Sequence, residues 1–414
     1  MVDSIQEQGP PLWLAAATRT KSLSTLPNDF PIIDLTPEGV LDDPLDLDQE
    51  ESINSAADAE VSDSTERQYE SLDVQLDRYG SQRAASTLHI KGDAPTVSQF
   101  SLISSAFPNV KQLYIQTGIF ERWNNDGFPS HSTWPLELLV ICDACGEVIT
   151  AEPVINGEIE HLVFYLTHNL KFEGCSDVAE DPDDVSQWLI NTTTGLPFYE
   201  TRASMEPRVE SKLKKMEILE NDAIETLVRF TVAHFDTVES IEELTIRSLD
   251  GTDMIYLPGG GFGAILPHLE NIKYLDLNNE DSVVEEHLSK QWLIYGLPPN
   301  LETFCFRGPT AVATGNGGRW LAEWARAFSN TDYLPKLTKV GFWLDQPAGL
   351  GADDEEVAPH LLEEIVAART KVEEILGPVL SERGIQWVDW DEEGAWRDPW
   401  FDEWWPGHAM DEQD

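Results

Sequence analysis

Cys142 and Cys145 form a C-x-x-C pair at the end of an apolar run, a spacing that serves zinc or thiol–disulfide chemistry. A structural zinc site needs two more ligands. His161, His168 and Cys175 are the donors nearest in sequence, and they stand at no recognised zinc spacing. Acidic neighbours such as Asp143 raise a thiol pKa rather than lower it, which disfavours redox use. The pair is read as small apolar residues beside a strand.

Three further patterns imitate chemistry and fail on context. Gly259-Gly260-Gly261-Phe262-Gly263-Ala264 contains G-x-G-x-x-A, yet Pro267 follows too soon for the crossover helix that a dinucleotide site requires. Asp46, Asp48 and Glu50 alternate like the start of a calcium loop. Glu51 occupies the position that needs glycine, and no glutamate stands at the twelfth. Asn191-Thr192-Thr193 fits a glycosylation acceptor, but no secretion signal is read at the start of the chain. The acidic runs at 181–184 and 353–356 are read as solvated insertions. No nucleophile elbow, H-E-x-x-H or Walker loop is present, so no catalytic, cofactor-binding or metal-binding residue is assigned and no cofactor is expected.

The charge is the strongest compositional signal. With 75 acidic against 27 basic residues, the formal net charge is -48. Such a field repels nucleic acid and anionic membranes and favours a protein partner with a basic surface. The four cysteines are too few for a disulfide framework, and no apolar run reaches the about 20 residues of a membrane span. A cytoplasmic or nuclear setting is the expectation.

The elements that would position any site come from a recurring phrase, an apolar residue and a proline leading into a short alternating strand. Phe107-Pro108-Asn109-Val110 leads to Leu113-Tyr114-Ile115, and Leu266-Pro267-His268-Leu269 to Leu275-Asp276-Leu277. Leu297-Pro298-Pro299-Asn300-Leu301 leads to Phe304-Cys305-Phe306, and Leu334-Pro335-Lys336-Leu337 to Val340-Gly341-Phe342. A turn-plus-strand unit that recurs cannot bury its apolar face alone, so neighbours must stack.

Alternation places further strands at 88–90, 138–141, 162–164, 244–246 and 387–388. Helical spacing predicts a helix from Val209 through Leu213, Met216, Leu219, Ala223 and Leu227, opened by Pro207. Trp320, Leu321, Trp324, Ala325 and Phe328 predict a second, and 361–380 a third. Ordered structure is expected to begin near Ser86; Phe30 to Leu35 would dock as an extended segment, and 42–66, rich in acid and without lysine or arginine through position 66, is expected to be disordered. The resulting division is an acidic, largely disordered region over 1–85, a repeat domain over 86–390 and an acidic, tryptophan-rich tail over 391–414. The fold class expected is α/β, an irregular solenoid with a parallel sheet on one face and helices on the other.

On these units the chain resembles the leucine-rich repeats of fungal F-box and leucine-rich-repeat proteins, in which a Leu-Pro-x-Leu step leads into the strand. The resemblance covers about 86–389 and implies a non-catalytic protein-binding scaffold. Family members that act as substrate receptors of cullin-RING ubiquitin ligases begin with a helical F-box. The comparable phrase here, Leu26-Pro27-Asn28-Asp29-Phe30, runs into Pro31, which blocks a helix. A receptor role is therefore the alternative, and a hydrolase using clustered carboxylates is the alternative of a different class. Trp387, Trp390, Trp396, Trp400, Trp404 and Trp405, interleaved with acids, are expected to cap the last repeat, with the far end free to dock on a partner.

Overall fold

The computed structural model describes residues 30–35, 71–92, 95–117, 134–142, 159–165, 211–219, 226–227, 230–231, 234–248, 265–279, 294, 296–346 and 359–388. Its strands are β1 (Ile32–Asp34), β2 (Thr87–Gly92), β3 (Gln112–Thr117), β4 (Leu138–Cys142), β5 (His161–Tyr165) and β6 (Lys215–Leu219). They continue with β7 (Glu243–Ser248), β8 (Tyr274–Asn279), β9 (Thr303–Pro309), β10 (Lys339–Gln346) and β11 (Gln386–Trp387). The helices are α1 (Leu72–Arg78), α2 (Val97–Ala106), α3 (Phe235–Val238), α4 (Ala311–Thr314), α5 (Arg319–Ser329) and α6 (Pro359–Arg383). The fold is α/β. All eleven strands form one parallel sheet whose spatial order is their order in the chain.

Register explains why the apolar spacing works. Leu88, Leu113, Leu139, Leu162, Met216, Leu244, Leu275, Phe304 and Val340 lie side by side across β2 to β10. Two residues further along, Ile90, Ile115, Ile141, Phe164, Ile218, Ile246, Leu277, Phe306 and Phe342 form a second row. Period-2 alternation puts both rows on one face, where all are buried and share a single core. Helix residues close over that core: Phe100 and Ile103 from α2, Trp324 and Phe328 from α5, Val372 and Leu376 from α6.

Each proline step is a tight turn that places two apolar side chains in the core. Leu269 N–H donates to the Leu266 carbonyl at 3.1 Å, and Leu337 N–H to the Leu334 carbonyl at 3.1 Å. Phe107, Val110, Leu266, Leu269, Leu297, Leu301, Leu334 and Leu337 are all buried. The strand entries repeat one hydrogen-bond geometry. From β3 to β10, the first strand residue and the residue before it both donate to the carbonyl of the residue just before the preceding strand. Examples are Glu242 and Glu243 to Lys214, Lys273 and Tyr274 to Glu242, and Glu302 and Thr303 to Lys273. Asn271 Nδ2 donates to the Glu239 carbonyl at 2.9 Å and Asn300 Nδ2 to the Glu270 carbonyl at 2.8 Å, the same brace one unit apart.

Local chemistry sets the helix ends. Thr96 and Gln99 form a capping box at α2, with Gln99 N–H donating to Thr96 Oγ1 at 3.3 Å and Thr96 N–H to Gln99 Oε1 at 2.8 Å. α6 stops at Gly384, whose φ of 71° lies in the left-handed region that glycine enters without a Cβ penalty. Gly384 N–H then donates to the Ser381 carbonyl and Ile385 N–H to the Leu380 carbonyl, satisfying the last turn.

Two expectations are corrected. The helix read from Val209 through Leu227 is not formed: 215–219 is strand β6, with Met216 and Ile218 in the core rows. Leu213, Met216 and Leu219 do recur at steps of three, but Leu219 faces the opposite side of the sheet from Met216, so the stripe is two faces of a strand. Regular structure also begins before Ser86, because β1 pairs in parallel with β2 and α1 packs beside it. Among the tail tryptophans only Trp387 is described; it is 40% exposed in β11, while 390–405 lie outside the described residues, as does 42–66.

Among the described strands β1 lies at the edge, and Gln75 of α1 pairs with its outer side. The Asp34 N–H donates to Gln75 Oε1 at 2.8 Å, and Gln75 Nε2 donates to the Asp34 carbonyl at 2.7 Å. Gln75 is itself buried. Truncating it strands two backbone groups, so Gln75→Ala is expected to cost roughly 1–3 kcal/mol in urea unfolding.

Candidate functional site

The face of the sheet opposite the main core carries the remaining alternate residues, and it divides in two. Over β3 to β6, Tyr114, Leu138, Val140, Val163, Tyr165 and Leu219 form a second apolar cluster, each buried. That part of the face is already closed to water. Over β7 to β10 the same face turns polar and half-buried, with Thr245, Tyr274, Asp276, Thr303, Arg307, Lys339 and Trp343, and with Cys305 buried among them.

An ion cluster marks the border between the halves. His161 Nε2 lies 2.7 Å from Glu217 Oε1, and Lys215 Nζ lies 2.7 Å from the same oxygen. Strand pairing of β5 with β6 brings the two chains of residues together across 56 positions of sequence. Burial pushes the Glu217 carboxyl up, but the His161 hydrogen bond and the Lys215 ammonium outweigh it and hold the group below the usual carboxylate range. Glu217 is thus an ionised anchor. At the far end, β2 places His89 in the same face, buried beside Lys91 and hydrogen-bonded to Gln116. Burial first, and then the Lys91 charge, push this imidazole down to about 4, so it is neutral at pH 7.

At the C-terminal end of the sheet, Gly341 and Trp343 make a platform. A Cβ built on Gly341 would meet the Trp343 ring at 2.4 Å, so the indole lies across the glycine. Glycine is required there because any side chain would lift the ring. Arg307 of β9 is the register partner of Trp343, and Lys339 stands on the same face of β10.

Charge among the described side chains of this face differs from charge on the chain. Its described ionisable side chains are Lys91, Lys215, Arg307 and Lys339 against Asp34, Glu217, Glu243 and Asp276, four of each sign. The whole chain stands at 75 acids to 27 bases. The strand-entry edge is likewise mixed: Glu242 takes both Lys214 and Lys273, and Lys111 meets Glu137. Exposed pairs of this kind contribute little stability but keep like charges apart in adjacent strands.

The residues that sequence patterns singled out do not converge. Cys142 ends β4; Cys145, His168 and Cys175 lie outside the described residues, as do 259–264, 181–184, 353–356 and Asn191. His161 is committed to Glu217. Among the described residues no cluster of three His, Cys, Asp or Glu could hold a metal ion, and no helix is long and apolar enough to cross a membrane. The strand order never reverses, so among the described strands there is no switch point of the sort at which α/β sheets place small ligands. Comparison with protein-family models, with curated proteins and with solved structures finds no match to this chain in any of the three.

Proposed function

We propose that the chain is a protein-binding scaffold without catalytic activity, built as a leucine-rich-repeat-like solenoid whose half-buried face over β7 to β10 receives the partner. The observation that carries this reading is the identical strand entry repeated from β3 to β10 in an unbroken parallel order. Repeated units with one geometry make an extended surface, which suits a long contact better than a closed small-molecule pocket. The net charge of -48 would steer a partner of basic overall surface from a distance.

The test is affinity capture on the full chain followed by a binary assay with each protein recovered. Thr303→Arg, which puts bulk in the middle of the half-buried face, is expected to weaken a true partner at least about tenfold, the effect of losing about 1.4 kcal/mol of contact. Val366→Arg, at a residue 52% exposed on α6, should leave binding unchanged. A protein that binds both variants equally well uses another surface. Turnover of a small molecule by the purified chain, with no protein retained, would overturn the scaffold reading altogether.

A further inference from the structure

The β1 edge of the sheet carries a polar contact where a core would favour an apolar one. β1 is the outermost of the described strands, paired with β2 on one side. Pro31 and Leu35 face β2, since His89 N–H donates to the Pro31 carbonyl at 3.1 Å and Leu35 N–H to the Lys91 carbonyl at 2.8 Å. Alternation along the strand then turns the N–H and C=O groups of Ile32 and Asp34 outward. There Asp34 meets Gln75, whose amide accepts from the N–H at 2.8 Å and donates to the carbonyl at 2.7 Å. That double exchange is the one an opposed residue of an antiparallel strand would make. α1 has seven residues, of which Gln75 is the buried one, while Leu72 and Leu76 are only partly buried against the core. A helix this short is not stable by itself. Its one buried position holds an amide turned to the strand edge.

We infer that Gln75 is an edge guard: it holds the position at which β1 would otherwise pair with β1 of a second copy of this chain, antiparallel and centred on Ile33. In that register Ile32 of each copy stands opposite Asp34 of the other. Both residues turn their backbone groups outward, so each opposed pair exchanges two hydrogen bonds. The contact is its own two-fold mate and closes as a dimer. It sets each Asp34 carboxylate, which Lys91 holds at 3.0 Å, across from an isoleucine and away from the other Asp34. A paired strand lies about 4.8 Å from its neighbour, the space that the Gln75 amide fills, so guard and second copy exclude each other. Uncovered edges of this kind are where chains add strands to one another. The opposite described edge, β11, is the weaker match: it is two residues long, and head-to-tail pairing with β1 would build an open fibre. The net charge of -48 adds repulsion between copies, screened beyond about 8 Å at physiological salt. Pairing after removal of the guard should therefore tighten as salt is added.

The test is sedimentation velocity on the full chain over a hundredfold range of concentration, with hydrogen exchange read at the Ile32 and Asp34 amides. The parent is expected to stay monomeric with the Asp34 amide protected. Gln75→Ala should dimerise at least tenfold more tightly than the parent, and both amides should be protected in the dimer. At the dilute end its Asp34 amide should exchange at least tenfold faster than the parent's. Ile32→Pro removes an outward N–H and no bond to β2, so adding it to Gln75→Ala should return the chain to monomer. Circular dichroism and the thermal midpoint check that the variants remain folded, and Gln75→Leu, which keeps bulk and loses both bonds, should dimerise in the same direction. A folded Gln75→Ala chain that stays monomeric across the range would sink the proposal. So would a parent that dimerises as tightly, a dimer that Ile32→Pro does not dissolve, or one that leaves both amides unprotected. Growth beyond a dimer would mean head-to-tail pairing and overturn the two-fold register. Unfolding of both Gln75 variants would show that the residue holds the fold and guards no edge.

Discussion

Replacing Phe304 by alanine is expected to lower the unfolding free energy by roughly 3–5 kcal/mol. The ring has no exposed surface; it stacks on Trp324 at 5.4 Å between centroids and meets Phe342 edge-on at 5.9 Å. Removing it deletes the transfer free energy of a phenyl group and leaves a cavity between sheet and helix. The cavity cannot collapse, because Trp324 is also held against Phe328 and Phe342, at 5.5 and 5.4 Å. Urea unfolding should show a lower midpoint with an unchanged slope. Leu102→Ala, at a residue half exposed on α2, should change stability by less than about 0.5 kcal/mol. A loss below about 1 kcal/mol for Phe304→Ala would mean that α5 does not close the core at β9.

The second large effect is a loss of stability in mild acid that traces to His89. Its imidazole sits at about 4 in the folded chain against an ordinary 6.5, because burial and Lys91 disfavour the cation. The unfolded chain therefore takes up a proton at this residue below pH 6.5 while the folded chain does not. Stability should fall as the pH drops from 6.5 towards 4 and then level off for this group. A shift of this size corresponds to roughly 3 kcal/mol. Glu217 acts in a separate window. Its folded pKa is depressed, so its contribution is present above the ordinary carboxylate range and disappears as the pH falls through the lowered value. The interval from pH 6.5 to 5 thus separates the His89 contribution from that of Glu217. His89→Gln, which retains a donor for Gln116 and does not titrate, should show a clearly shallower fall of urea midpoint with pH across that interval than the parent. A parent and variant with the same acid slope would show that His89 is charged in the folded state.

Much of this architecture was legible in the residue order, and the exceptions have physical causes. Strands such as 113–115 and 275–277 declared themselves because a proline step fixes their start and alternation follows at once. The helix at 319–329 was equally plain, since Trp320, Trp324 and Phe328 keep to one face and all three are buried. β6 was not, because Leu213, Met216, Ile218 and Leu219 are apolar on both sides of the strand, and two-sided burial erases the period that separates strand from helix. β1 was too short for alternation to count; its place depends on pairing with β2 and on Gln75, which lies 41 residues from Asp34.

Residue order alone carries the strong acidity of this chain, its recurring turn-and-strand units and the apolar stripe of the helix at 319–329. Those are properties of composition and short-range spacing, which a linear reading contains. Which polar residues share the face opposite the main core, that His161 reaches Glu217, and that Trp343 lies across Gly341 follow from the tertiary structure alone. Neighbours on one face of a parallel sheet come from strands separated by whole crossovers, so their meeting is set by register rather than by any local pattern.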